Sequence, residues 1–430
     1  MIDIKKIRET PDIVKQAILR KGTDCNRDVD RILELDVKRR SIISTCEADK
    51  AEQNKASKEI PMLKKSGGDV SGVLSRMNEL KEKIRIADVE LKIVEDELET
   101  LMLCLPNIPD DDLPSGGKES NEVLCYYGEQ HKFDFEPKNH MDLCYDLGLI
   151  DYPRGVKLAG SGFWIYRNLG SRLEWALLNY FIDTHITDGY ELLFVPYMLE
   201  YQCGLTAGQF PKFGNEVYKI ENPSDDRVHY MLPTAEAALV SLHRDEILSE
   251  TELPKKYVSF TPCFRREAGS YGADERGMVR GHQFNKVEMV QFTTPEGSPA
   301  AFDELVSKAE SLVAGLGFHF RTVKLAAGDC TSAMARTYDI EILIPSMNGY
   351  KEVSSVSNAR CYQSRRGAMR FRRENTGKIE FMHTLNGSGL ATSRILPALV
   401  EQNQQKDGSI IIPSVLRKYI GNLDVITPDK

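Results

Sequence analysis

The stretch 261–292, TPCFRREAGSYGADERGMVRGHQFNKVEMVQF, reads as two strands joined by a long loop. Ahead of the loop, Val258, Phe260 and Phe264 alternate with Ser259, Thr261, Cys263, Arg265 and Glu267. Successive strand residues point to opposite faces, so Arg265 and Glu267 project from one mostly polar face, which suits the floor of a cleft. Cys263 shares that face; its neighbours do not mark it as a nucleophile, and a small packing residue is expected. The loop carries Gly269, Gly272, Gly277 and Gly281, with Arg276 and Arg280 between them. Glycine lets backbone approach a ligand closely, and guanidinium groups grip phosphate oxygens in pairs. After the loop, Phe284, Lys286, Glu288, Val290 and Phe292 share one face of the returning strand. Taken alone, Arg-x-Glu on a strand also suits a solvated surface hairpin. The loop and the returning Phe and Glu favour a nucleotide site.

Residues 257–292 resemble motif 2 of the class II aminoacyl-tRNA synthetases, in the form found in seryl-tRNA synthetases. TPCFRREAGS followed by RGHQFNKVEMV is a far longer match than a generic Arg-x-Glu. The resemblance implies ATP contacts from Arg265, Arg266, Glu267 and Phe284, with the Phe284 ring stacked on one face of the adenine.

The composition sets bounds on this expectation. A chain of 430 residues has room for more than one domain. Hydrophobic residues at 41% and charged residues at 28% describe a soluble globular protein. The net charge of −8 means that a nucleic-acid partner must be met by a local basic surface. Nine cysteines, without a CxxC pair or zinc spacing to His, argue against a disulfide framework or structural zinc and for a reducing cytoplasm. The start, MIDIKKIRETPDIV, lacks an apolar signal core, and no stretch reaches transmembrane length. The expectation is a cytoplasmic protein with no membrane partner.

Residues 1–25 predict a short amphipathic helix after Pro11, with Ile13, Val14, Ala17 and Ile18 inward and Gly22 at its stop. From about residue 28 to 101 the pattern is longer. Val73, Met77, Leu80, Ile84, Ala87, Leu91, Val94, Leu98 and Leu101 alternate spacings of four and three, which is a coiled-coil seam. A weaker stripe precedes it at Ile32, Leu35, Ile42, Cys46, Ala56, Ile60 and Leu63, and SGGDVSG, 66–72, separates the two as a turn. An antiparallel hairpin of two helices, roughly 50 Å long, is expected. Its lysines and arginines are interleaved with acids, so the charges alone describe a solvated face and not an RNA site. Resemblance adds that seryl-tRNA synthetases carry such an arm and grip the long variable arm of tRNA with it, largely by shape and backbone.

CLPNIPDDDLPSGGKESN, 104–121, reads as a linker. The domains expected are an N-terminal helical tRNA-binding domain, 1–105, and a catalytic domain, 106–430. Strand patterns at FWIYR, ELLFVP, HYMLP, YVSFTPCFR, VEMVQF, YDIEILIP, YKEVSSV and IEFMHTL lack a strict βαβ alternation. The fold class is therefore α+β, with a mainly antiparallel sheet, six- to eight-stranded by resemblance and flanked by helices. Neither GxGxxG nor GxxxxGK[ST] is present.

Within that domain, 169–198 reads as a core helix stopped by Gly189 and a strand ending at Pro196; it resembles motif 1, the dimer element. A homodimer follows by resemblance, with one subunit's arm serving the other's active site. Thr234 and Glu236, in MLPTAEAALVSLH, sit at a helix start where capping is common. By resemblance Thr234, Ala235 and Glu236 contact serine, with Glu288, Asn386 and Ser388 completing that pocket. Glu352, Val353, Ser354 and Ser355 resemble the family's ATP and magnesium segment, with Glu352 and Ser355 as Mg²⁺ ligands. Residues 381–404 resemble motif 3: a strand leads through NGSG into a helix with Arg394 on its early turns, which the resemblance sets against the adenine and γ-phosphate of ATP.

The implied reaction joins L-serine and ATP into seryl-adenylate and then transfers the seryl group to tRNA(Ser), with tRNA(Sec) left open as a second acceptor. Arg265, Arg394 and Glu352 are the expected catalytic residues, acting by positioning and charge stabilisation. Two other readings stand beside this one. A synthetase-like ligase that loads a carrier protein would lack the heptads and the Thr-Ala-Glu segment. A catalytically dead coiled-coil RNA-binding scaffold would have lost Arg265, Glu267, Glu288, Glu352 or Arg394. Three places depart from the family pattern: Arg360-Cys361-Tyr362, the segment CTSAMAR at 330–336, and Ala273 in the motif 2 loop.

Overall fold

The computed structural model describes residues 1–221, 227–267 and 277–428. Of the loop residues singled out above, Gly269, Gly272, Ala273 and Arg276 lie outside the described residues. The chain divides into two compact units. One holds residues 2–19 and 23–105; the other holds Met1, 20–22 and 106–430.

The first unit is helical. Two short helices, Ile4–Glu9 and Pro11–Leu19, precede a long pair, Asn26–Lys65 and Ser71–Cys104. The short second helix buries Val14, Ala17 and Ile18, but Ile13 is 61% exposed, so the predicted inward set was one residue too wide. The first long helix has 40 residues, about 60 Å at ~1.5 Å per residue, longer than the spacing suggested because it runs through Pro61. Every residue of both predicted stripes is buried or half-buried, and they face one another as the seam. At the base, the carboxylate of Asp36, 1% exposed, is held by Arg8 at 2.8 and 3.1 Å and by Arg40 at 3.1 Å. A buried charge with two guanidinium partners is costly to strip of either one.

The second unit is built on an eight-stranded sheet: β1 (Glu122–Tyr127), β2 (Glu191–Leu192), β3 (Lys255–Phe264), β4 (Gln283–Thr293), β5 (Phe320–Lys324), β6 (Arg336–Ile344), β7 (Gly349–Arg360) and β8 (His383–Ala391). The order across it is β1-β5-β6-β7-β8-β4-β3-β2. All pairs are antiparallel except β2 with β3. The mainly antiparallel α+β expectation is met. FWIYR and HYMLP contribute instead to small separate sheets, and IEFMHTL divides into Ile379–Phe381 and β8.

Two apolar clusters cover the sheet. Val258, Val287, Met289, Ile340, Val356 and Leu385 turn to one face, packed by the helices Leu169–Thr187, Ser298–Gly315 and Thr392–Gln402. Tyr257, Cys263, Val290 and Phe292 turn to the other. The period of two read from the sequence accounts for this division. Residues 105–121 are not a free linker: Leu105 and Leu113 are buried, and the Asn107 amide donates to the carbonyls of Ala333 and Ala359 at 2.8 and 2.9 Å. No helix among the described residues is long and apolar enough to cross a membrane, and all nine cysteines are free thiols.

Candidate functional site

A three-lobed cleft lies on the second face of the sheet, above the middle strands. Arg265 and Glu267 line all three lobes. One lobe, about 400 Å³, is lined by Phe213, Thr234 and Glu236. The central one is lined by Phe284, Lys286, Glu352, Val353, Ser388 and Arg394. The third, about 380 Å³, is lined by Asp339, Glu341, Glu352, Ser355 and Arg394.

The floor comes from strand register. Glu288 of β4 stands opposite Ser259 of β3 and Ser388 of β8, deep in the sheet at 1% exposure. Its carboxylate is 2.5 Å from the Lys286 ammonium and accepts from the Asn386 amide at 3.2 Å. Lys286 in turn donates to the Thr234 hydroxyl at 2.7 Å. The Thr234 hydroxyl also accepts from the Glu236 N–H at 3.4 Å, at the start of the short helix Glu236–Leu239, whose N-cap residue Ala235 has no side-chain bond to offer. Glu236 is 9% exposed and accepts from the Gln363 amide at 2.7 Å, while Gln363 accepts from Thr384 at 2.6 Å. Burial, with the charge of Glu288 next, lifts the Glu236 carboxyl to about 7.

At the other end, Glu352 and Ser355 are three residues apart and would face opposite sides of a regular strand. The register of β6 against β7 shifts between Ile340 and Glu341, and this bulge brings both to the third lobe. Arg394, on the first turn of its helix, donates to the Glu352 carbonyl at 2.7 Å and lies 3.4 Å from its carboxylate. Asp339, paired with Ser355 across the strands, is 8% exposed and has one carboxylate oxygen without a hydrogen-bond partner. Burial and the charge of Glu352 hold its carboxyl well above the ordinary range. Crowded carboxylates with an unpartnered oxygen fit a hard cation. Among the described residues no group of three His, Cys, Asp or Glu is placed to hold a metal ion.

Arg265 donates to the Pro233 carbonyl at 3.2 Å and lies over the Phe284 ring, 5.1 Å from its centroid. Glu267, at a positive φ of 48°, pairs with Arg280 at 2.7 Å. Arg266 is exposed and turned aside, bonded to the Asn215 carbonyl at 3.2 Å, and lines none of the three lobes. Ala235 is buried, and the Ser354 hydroxyl donates to the Ser388 carbonyl at 2.6 Å. NGSG lies inside β8, so its glycines meet packing neighbours: a Cβ on Gly389 would come within 2.5 Å of the His185 ring. Lys286, Gln363 and Asp339 belong to the site without having been assigned roles from the sequence, whereas Arg280, read there as a phosphate-gripping loop residue, lines the central lobe and pairs with Glu267. Lys286 had a signal, since it shares the Phe284 and Glu288 face; Gln363 arrives from a distant short helix and had none.

Two of the three departures from the family pattern, those at 330–336 and 360–362, meet at Asp110, and Ala273 lies outside the described residues. Arg336 and Arg360 both pair with Asp110, at 2.9 and 2.5 Å, and Arg336 also with Asp112. The segment after residue 105 is thus tied to β6 and β7.

Comparisons with known proteins identify the family. Residues 1–109 match the family model "Seryl-tRNA synthetase N-terminal domain", and 218–403 match "tRNA synthetase class II core domain (G, H, P, S and T)". The chain is 56% identical to serine–tRNA ligase 2 of Clostridium acetobutylicum, over 98% of this chain and 99% of that one. It is 42% identical to the serine–tRNA ligase of Clostridium tetani, over 99% and 100%. Among solved structures, the Pyrococcus horikoshii seryl-tRNA synthetase complexed with ATP superposes with a TM-score of 0.92 at 33% identity, covering all of both chains.

Proposed function

The chain belongs to the seryl-tRNA synthetase family and is a serine–tRNA ligase; within that activity we propose that the lobe at Glu236 takes serine and the lobes at Arg394 and Glu352 take ATP. The observation that carries this division is the buried carboxylate of Glu236 lining one lobe, with Glu288 beneath the floor bonded to Lys286 and Asn386, while Arg394 lines the other two. Thr234, Ala235, Glu236, Glu288, Asn386 and Ser388 surround the serine, whose ammonium and hydroxyl both seek carboxylate acceptors. A buried acceptor left without its hydroxyl is penalised, so alanine is rejected.

In the first step a serine carboxylate oxygen bonds to the α-phosphorus of ATP as the bond to pyrophosphate breaks. The nucleophile is already an anion, so no base is needed. Arg265 and Arg394 stabilise charge on the phosphates, Phe284 and Arg394 bracket the adenine, and Glu267 and Ser354 hold the surrounding backbone and side chains. Glu352 and Ser355 would hold Mg²⁺, which would supply further charge neutralisation to the phosphates. In the second step a terminal ribose hydroxyl of tRNA(Ser) attacks the seryl carbonyl carbon and AMP leaves. The helical hairpin binds that tRNA, and tRNA(Sec) belongs to the same proposal as a second acceptor. A cytoplasmic homodimer completes it, supported by nine free cysteines and by the exposed Trp175 (55%) and Phe194 (75%) of residues 169–198.

ATP–pyrophosphate exchange measured with each amino acid in turn, without tRNA, tests the pocket. Serine alone is expected to support exchange; exchange with a different amino acid, or with none, overturns the assignment. Arg394→Ala is expected to slow serine-dependent exchange by about 10²–10³-fold while leaving the circular-dichroism spectrum unchanged.

A further inference from the structure

Beneath the cleft, on the opposite face of the sheet, one carboxylate joins three elements. Glu174 lies on the helix Leu169–Thr187 and is 4% exposed. Its Oε1 accepts from the Asn285 amide at 2.8 Å and from the Thr392 hydroxyl at 2.6 Å. Asn285 sits between Phe284 and Lys286 on β4, its side chain turned away from theirs by strand alternation. Thr392 opens the helix that carries Arg394, two residues on. Burial lifts the Glu174 carboxyl to about 7, opposed by the bonds from Thr392 and Asn285. Glu174 lines none of the three lobes, so it acts on ligands through Asn285 and Thr392 and not by contact.

We propose that Glu174 is a positioning residue for ATP: it ties the strand bearing Phe284 to the helix bearing Arg394 and so fixes the gap between them. The proposal rests on the reading that those two side chains bracket the adenine. Among the described residues Glu174 bonds none of the serine neighbours, and Lys286, next to Asn285, stays anchored by its own bonds to Thr234 and Glu288, so loosening Glu174 acts on ATP before it acts on serine. A shift of the order of an ångström between two groups that grip one ligand is enough to weaken that grip substantially.

The test is serine-dependent ATP–pyrophosphate exchange by full-length Glu174→Ala and Glu174→Gln. Glu174→Ala is expected to raise the KM for ATP about tenfold while the KM for serine stays within about twofold. Glu174→Gln keeps an oxygen that accepts from both partners and is expected to restore the KM for ATP to within about threefold of the parent. An unchanged KM for ATP in folded Glu174→Ala, or a parallel rise in both KM values, overturns the proposal. If Glu174→Ala does not fold, Thr392→Val and Asn285→Ala decide: each is expected to raise the KM for ATP alone, by about threefold, and no rise in either refutes the tie. Phe284→Ala and Arg394→Ala run alongside; if neither alters the KM for ATP, it is the assignment of the adenine site that fails.

Discussion

Glu236 and Glu288 are neighbouring carboxylates with different settings. Glu288 has the Lys286 ammonium at 2.5 Å, whereas Glu236 has a neutral amide donor and a raised carboxyl, at about 7. Between its ordinary value of 4.5 and about 7, the folded chain holds a proton that the unfolded chain has released. Glu236 therefore contributes stability at low pH that is lost as pH rises through about 7. Function runs the other way, because the serine ammonium needs the ionised form. The kcat/KM for serine in the exchange reaction should climb with pH, with a midpoint near 7, and then level off. In Glu236→Gln that rising limb should vanish, and a limb that persists would assign the titration elsewhere. At this scale Thr234, Glu236, Glu288 and Arg394 stood out in the sequence chiefly through the resemblance of their motifs to the family's, and the spacing of Thr234 and Glu236 alone described no more than a helix start. Gln363 and Asp339 were not legible, since each reaches the cleft only through strand pairings or helix packing that join distant segments.

The helical hairpin was the most legible element, because an unbroken seam of fours and threes permits few other structures. Long strands were nearly as clear, since alternation over eight or more residues outweighs local noise. Two kinds of element escaped. Glu122–Tyr127 and Phe320–Lys324 are short and were not recognised, and the segment after residue 105 reads as a linker although tertiary bonds pin it. The bulge of β7 also left no mark in sequence, yet it alone puts Glu352 and Ser355 on one side. Replacing residues 30–100 by a short turn should spare serine-dependent exchange, because the cleft is lined wholly from the other unit. Charging of tRNA(Ser) by the same variant should fall below detection; charging at near-parental efficiency would remove the arm from tRNA recognition.

Across the whole catalytic unit, the motif strands β7, β8, β4 and β3 lie inside the sheet, flanked by β6 on one side and by the short β2 on the other. One face of these strands is packed by helices and the other forms the floor of the cleft, which is unusual company for a site, since binding residues more often ride on loops. Amide hydrogen exchange should therefore be slowest in 258–263, 287–291 and 385–388 and faster in β1 and β2 at the margins. Exchange that began in the central strands would contradict this order. The first unit invites a different deduction. Arg31, Lys38, Arg39, Lys50 and Arg76 are each held by a carboxylate of the opposite helix: Glu97, Glu90, Glu95, Asp88 and Glu52. Cations already neutralised in this way displace few condensed counterions when a polyanion settles along the rod. The proposed binding of RNA by the hairpin should then weaken less steeply with added salt than its tally of basic residues would imply.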